Sequence, residues 1–155
     1  MQNLLREHVS IRNLASILET LADYGRRIQD PSLLTEYVRS SLARNISRQY
    51  QDEDGKLTCI TLDPGLEELV SGSLQHTENG SFLSMSPSLM KDIMDAMGPH
   101  LENLVQNGHT AILLTSPQIR PHIKRIVDGI QPGIVVISYN EVVADVLVES
   151  VAVVT

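Results

Sequence analysis

The chain has 155 residues, 42% of them apolar, and a formal net charge of −7, enough for one domain or two small ones that bury about 70% of their unfolded surface. No run approaches the roughly 20 apolar residues of a membrane helix, and the opening MQNLLREHV lacks the basic-then-apolar layout of a signal peptide. The acidic balance argues against nucleic acid, which needs a concentrated basic surface, and the single cysteine, Cys59, excludes an internal disulfide framework and suits a reducing compartment.

Residues 9–47 read as two amphipathic helices with a tight break. Ser10 is placed to cap the first, with Val9 as the outer half of a hydrophobic staple. Leu14, Ile17, Leu18 and Leu21 form its apolar stripe. Gly25 is expected to end it in the left-handed conformation. Asp30-Pro31 restarts the chain as cap and first helical residue. Leu34, Tyr37, Val38, Leu42 and Ile46 make the second stripe, and the two helices are expected to pack on each other. Charge then changes sign. Residues 1–50 hold seven arginines, no lysine and five acids, whereas residues 51–155 hold five basic and fourteen acidic residues. The polar DEDG stretch at residues 51–56 therefore reads as a linker between halves.

Residues 57–62 alternate and form a strand, with Cys59 a buried structural thiol. Asp63-Pro64 opens a short helix with Leu66, Leu69, Val70 and Leu74 inward. Residues 76–80 read as a turn and residues 81–85 as a short strand. Ser86-Pro87 opens the next helix, carrying Leu89, Met90, Ile93, Met94 and Met97. Proline inside a helix costs about 3 kcal/mol, so Pro99 either kinks this helix or restarts it. The continuing pattern Leu101, Leu104, Val105 favours a kinked, nearly continuous helix ending at Asn107-Gly108. Residues 110–114 are a strand. Ser116-Pro117 is expected to cap a helix with Ile119, Ile123, Ile126, Val127 and Ile130 inward, and Pro132-Gly133 to end it. Residues 134–138 follow as a second apolar strand, which makes a βαβ unit with parallel strands. Residues 146–154 read as an edge strand, with Asp145 and Glu149 discouraging stray pairing. The fold class is α+β: a helical N-terminal subdomain (1–50), a linker (51–56) and a small α/β subdomain with a βαβ unit (57–155).

Chemistry is sparse. His8, His76, His100, His109 and His122 lack metal-site spacing. Asp52, Glu53 and Asp54 lack the glutamate of a calcium loop, with Thr61 in its place. The turn at Leu114-Thr115-Ser116 has no glycine to cradle phosphate and no GxSxG nucleophile spacing. No catalytic, metal or cofactor-binding residue is assigned. A ligand-binding or enzymatic site near Thr115 and Ser138 is the alternative, and it requires titratable groups converging there. The turn Ser138-Tyr139-Asn140-Glu141 has two readings: a structural turn with Asn140 strained and Tyr139 plugging the core edge, or a partner contact. Because parallel strands end on one side, Gln118 and Arg120 belong on the same edge as Tyr139, Asn140 and Glu141, and the five are expected to form a partner-binding patch. Arg26, Arg27, Arg39, Arg44 and Arg48 form either a solvated face or a contact surface that pairs with carboxylates. A helix–turn–helix through residues 9–47 has too long a break and lacks base-reading Asn and Gln.

SIRNLASILETLADY and DPSLLTEYVRSSLAR, followed in order by ILLTSPQIRPHIKRIV and VVISYNEV, closely resemble the cytoplasmic part of the FlhA/InvA export-gate family of bacterial flagella and type III secretion injectisomes. The SYNEV ending fits the flagellar branch better. The resemblance implies a non-enzymatic docking platform without cofactor or nucleic acid. It would form a nine-fold homo-oligomeric ring below a membrane channel and receive export substrates, chaperones and other export-apparatus proteins. It also implies a cytoplasmic domain of an inner-membrane protein, joined to the membrane only through a missing N-terminal part. In that family the main chaperone groove lies largely in subdomains preceding this stretch, so none of its residues is assigned. The helical subdomain contributes ring contacts, which by resemblance gives the arginines at 26, 27, 39, 44 and 48 an oligomer-interface role.

Overall fold

The computed structural model describes residues 2–77, 80–130 and 133–154. Its centre is a four-stranded, wholly parallel sheet in the order β5-β4-β1-β6, formed by β1 (Lys56–Leu62), β4 (Ile112–Thr115), β5 (Val135–Ser138) and β6 (Leu147–Val154). A parallel sheet must be covered on both faces, and the strand side chains divide accordingly. Leu57, Cys59, Ile112, Leu114 and Ile137 face one way and meet Leu4, Val9, Ile17, Val38, Leu42 and Ile46 of the N-terminal helices. Ile60, Leu62, Leu113 and Val136 face the other way, against helices α5 (Pro64–Gly72), α6 (Pro87–Gln106) and α7 (Arg120–Asp128). The helical residues 1–50 therefore share their core with the sheet and form its second covering layer. The turn at 52–55 joins that layer to β1 without a spacer. Asp52 Oδ1 accepts the N–H groups of Asp54 and Lys56 at 2.9 and 2.8 Å, and Gly55 takes the left-handed conformation (φ 76°) that closes the turn.

The N-terminal layer is α1 (Gln2–Arg6), α2 (Leu14–Tyr24), α3 (Pro31–Ser41) and α4 (Ala43–Tyr50). The first of these was not expected. Asn13, not Ser10, caps α2 by accepting from Ser16 N–H at 3.3 Å, while Ser10 closes a local turn with Arg12 N–H. Of the first apolar stripe only Ile17 is fully buried; Leu14 and Leu18 stay exposed. Gly25 remains right-handed (φ −61°). Its value is close approach, since a Cβ there would sit 2.4 Å from the Leu21 carbonyl oxygen. The second predicted helix is two helices, broken at Leu42, whose N–H faces three carbonyls of the preceding turn.

Downstream, Asp63 and Ser86 cap α5 and α6 as expected, accepting from Gly65 and Leu89 N–H groups at 3.0 and 3.2 Å. Asp30 does the same for α3, accepting from Ser32 N–H at 3.0 Å. Helix α6 runs unbroken through Pro99 to Gln106. His76 and Thr77 belong to β2 (Leu74–Thr77), which pairs antiparallel with β3 (Gly80–Leu83), so a hairpin replaces the predicted turn and Leu74 is a strand residue. The tip of that turn, residues 78 and 79, and the expected helix stop at Pro132 lie outside the described residues. Ser116-Pro117 does not cap α7. Residues 117–119 form a turn, and the helix begins at Arg120 with Pro121 in its first turn and no side-chain cap. Proline is favoured at that first-turn position because the N–H it lacks has no helical partner there. The βαβ unit itself is present: β4, α7, β5, with β4 and β5 parallel.

Candidate functional site

Strand β5 is one edge of the sheet, and a free strand edge is a hazard unless it is covered. Here side chains cover it. Lys124 Nζ donates to the Ile134 carbonyl at 2.7 Å. Arg120 Nη1 and Arg39 Nη2 donate to the Val136 carbonyl at 3.1 and 3.4 Å. The Ser138 N–H is taken by Glu141 Oε1 at 3.2 Å. Glu141 is held by the 3₁₀ turn Tyr139–Glu141, in which Ser138 and Glu141 form a reciprocal capping box.

Behind the edge lies a buried ion cluster. Arg39 of α3 places Nε 2.9 Å from Glu141 Oε2. Arg120 at the start of α7 forks onto two carboxylates. Its Nη1 and Nη2 meet Glu7 oxygens at 2.7 and 2.9 Å, and its Nε and Nη2 meet Glu36 oxygens at 2.6 and 2.7 Å. Arg39, Arg120 and Glu141 are only 2%, 1% and 1% exposed. Arg39 Nη1 has no hydrogen-bond partner, and Glu7 Oε2 stands 3.8 Å away from it. Burial pushes the Glu7 carboxyl up, but the Arg120 hydrogen bonds and the charges of Arg120 and Arg39 outweigh it and hold it below its ordinary 4.5. Burial pulls Arg120 down, yet Glu36 and Glu7 leave it raised and charged. Such paired, fork-bonded charges join the turn after α1, helices α3 and α7, and the turn after β5. They offer no free base or nucleophile.

Of the predicted patch, then, Arg120 and Glu141 are corrected: both are buried and satisfied within the chain and cannot touch a partner. Arg39 is corrected in the same way, because it lies inside the fold. Gln118 and Asn140 are exposed and come together in a groove of about 340 Å³ between α3 and the start of α7, with Leu33, Tyr37, Pro121 and Arg125. Asn140 is not strained, since His8 is the non-glycine residue with positive φ among those described. It donates to Ser40 Oγ at 3.1 Å and pairs closely with Ser138 Oγ. Tyr139 does not plug the core. It is 45% exposed, its hydroxyl donates to Glu67 Oε1 at 3.4 Å, and burial and then Glu67 raise its pKa. Arg26, Arg27, Arg44 and Arg48 are all exposed.

Sequence reasoning missed Glu7 and Glu36, the partners of Arg120. The one available signal was Glu36 three residues before Arg39 on one helix face. Leu33 and Tyr37, the groove's apolar wall, were also missed; Tyr37 stacks on Tyr24 with ring centroids 4.5 Å apart. For the alternative ligand site, Thr115 and Ser138 are buried and spend their hydroxyls on Ser116 O, Glu141 and Asn140. Among the described residues no group of His, Cys, Asp and Glu is arranged to hold a metal ion, and no helix is long and apolar enough to cross a membrane.

The flagellar biosynthesis protein FlhA of Bacillus subtilis is 41% identical over 154 residues, covering 99% of this chain and 23% of that protein, so the chain spans about a quarter of its relative. The nonameric EPEC SctV-C cryo-EM structure superposes with a TM-score of 0.84 at 30% identity, covering 99% of this chain and 46% of that one. The Chlamydia pneumoniae CdsV and CdsO protein complex gives 0.85 at 30% identity, covering 99% and 45%. The described architecture is thus shared with somewhat under half of each of these solved chains. Because the FHIPEP family pattern also matches residues 1–147, the chain belongs to the FHIPEP family.

Proposed function

We propose that the chain is part of the cytoplasmic docking platform of a flagellar type III protein export gate. It acts without catalysis, as one subunit's contribution to a homo-oligomeric ring that receives export substrates, chaperones and other export-apparatus proteins at the inner membrane. The observation that carries this reading is the superposition of nearly the whole chain on a nonameric relative. The flagellar branch is favoured by the 41% identity to the Bacillus protein.

Charge distribution supplies the contact. With Arg39 withdrawn into the core, Arg26, Arg27, Arg44 and Arg48 remain exposed on the helical layer, and residues 51–155 are strongly acidic. The exposed arginines pair with carboxylates of a neighbouring subunit, each pair contributing roughly 0–1 kcal/mol. Gln118 and Asn140 in the groove, and Tyr139 beside it, face a partner protein. The test is the full-length protein carrying Arg44→Glu and Arg48→Glu. Ring assembly, export and motility fall while the fold is retained; normal rings and motility would overturn the assignment.

A further inference from the structure

The two edges of the sheet are treated in opposite ways. Arg120, Arg39 and Glu141 occupy outward backbone groups of β5, and Lys124 that of Ile134 just before it. Strand β6, at eight residues the longest, pairs with β1 on one side and, among the described residues, with no strand on the other. Leu147, Val151 and Val153 are 64%, 52% and 50% exposed, and Val148 is exposed too. The register pairs Val148 with Leu57 and Val153 with Thr61, which sets both on the face that the N-terminal helices cover further along the sheet, and it shifts between them, where Val151 is the extra residue of a bulge. A parallel sheet rarely leaves apolar side chains and a backbone edge open together.

The surroundings of this edge are acidic. Asp145 and Glu149 flank and occupy β6, and Leu147 N–H bonds Gly55 O at 3.0 Å, which brings the turn carrying Asp52, Glu53 and Asp54 alongside. All five carboxylates are exposed, and Lys56 is the one basic residue of these two segments. We propose that the free edge of β6 receives an extended segment of a client polypeptide as an added strand, apolar at alternate positions and flanked by basic residues. Main-chain hydrogen bonds would bind many sequences, while Val148, Val151 and Val153 select for alternate apolar residues, and the carboxylates, which discourage pairing with neutral or acidic strands, admit one with positive flanks. The inference rests on the platform reading for one point, that extended clients are presented to this surface.

The test uses the purified chain and a labelled synthetic peptide alternating valine and threonine between terminal lysines, read by fluorescence anisotropy and by hydrogen exchange. Peptide binding slows exchange of amides in residues 147–154, weakens as salt rises, and weakens roughly ten-fold or more in Val151→Lys/Val153→Lys. A peptide N-methylated at alternate residues does not bind. Equal binding by the N-methylated peptide, unchanged binding in the variant, or protection elsewhere would overturn the proposal. So would concentration-dependent pairing of β6 with a second copy that excludes the peptide. Peptide uptake with no ring in the full-length protein would instead count against the platform reading alone.

Discussion

Replacing Arg39 by methionine separates the two roles that an arginine on α3 can have. If its charge served a partner, the change would shift stability by only about ±0.5 kcal/mol, as for other exposed positions. Instead it leaves Glu141, 1% exposed, facing a gap where the nearer of its two cations stood. Removing one partner of a buried pair costs about 3–5 kcal/mol. Glu141 keeps Arg120 Nε at 3.8 Å and the Ser138 N–H and hydroxyl as donors, each of the latter contributing about 1 kcal/mol, which sets the expectation near the lower end, about 3 kcal/mol. For a chain of this size that lowers the melting temperature by roughly 6–12 °C. Urea denaturation of the purified chain measures it directly. The double variant Arg39→Met/Glu141→Gln removes the buried carboxylate that Arg120, already shared with Glu7 and Glu36, cannot neutralise alone, and recovers at least about half of the loss. A single-variant cost under about 1 kcal/mol, or a double variant no better than the single, would refute the clamp reading.

Glu7 titrates below its ordinary 4.5 when folded, so its pairing stabilises the fold above that pH and is lost as pH falls through the depressed value. Glu7→Gln should therefore flatten the loss of stability below about pH 4.5, measured by urea midpoints across pH; an unchanged acid limb would count against it. Burial pushes the Cys59 thiol up to about 11, so iodoacetamide at pH 8 should leave the native protein unlabelled and label it only in denaturant. Stoichiometric native labelling, by mass spectrometry, would contradict that. Gln118→Ala together with Asn140→Ala should reduce export in the full-length protein while moving the melting temperature by little, about 2–4 °C at most. Normal export would remove the groove from the contact surface.

What the sequence disclosed was local. Asp30, Asp63 and Ser86 announce helix starts because cap and proline act within a few residues, and the βαβ unit shows as two apolar runs around one helical stripe. Ser116 misled because Pro121 competes for the first turn, and the intervening residues close as a turn. The covering of the sheet by the N-terminal helices was not legible, since an apolar stripe does not name what buries it. Nor was the ion cluster: a buried arginine looks like a surface one in sequence, and the carboxylate that decides Arg39 lies 102 residues away. The same blindness made Arg120 and Glu141 read as a surface patch, whereas Gln118 and Asn140 needed only the rule that parallel strands end on one side.

The central claim is that the exposed arginines of the helical layer meet a neighbouring copy in a ring. A photo-cross-linking residue at Arg44 of the full-length protein, expressed in cells, tests it most directly. Adducts whose masses are whole multiples of the protein itself are expected. Adducts to unrelated proteins alone, or none from this position while rings still form, would contradict it.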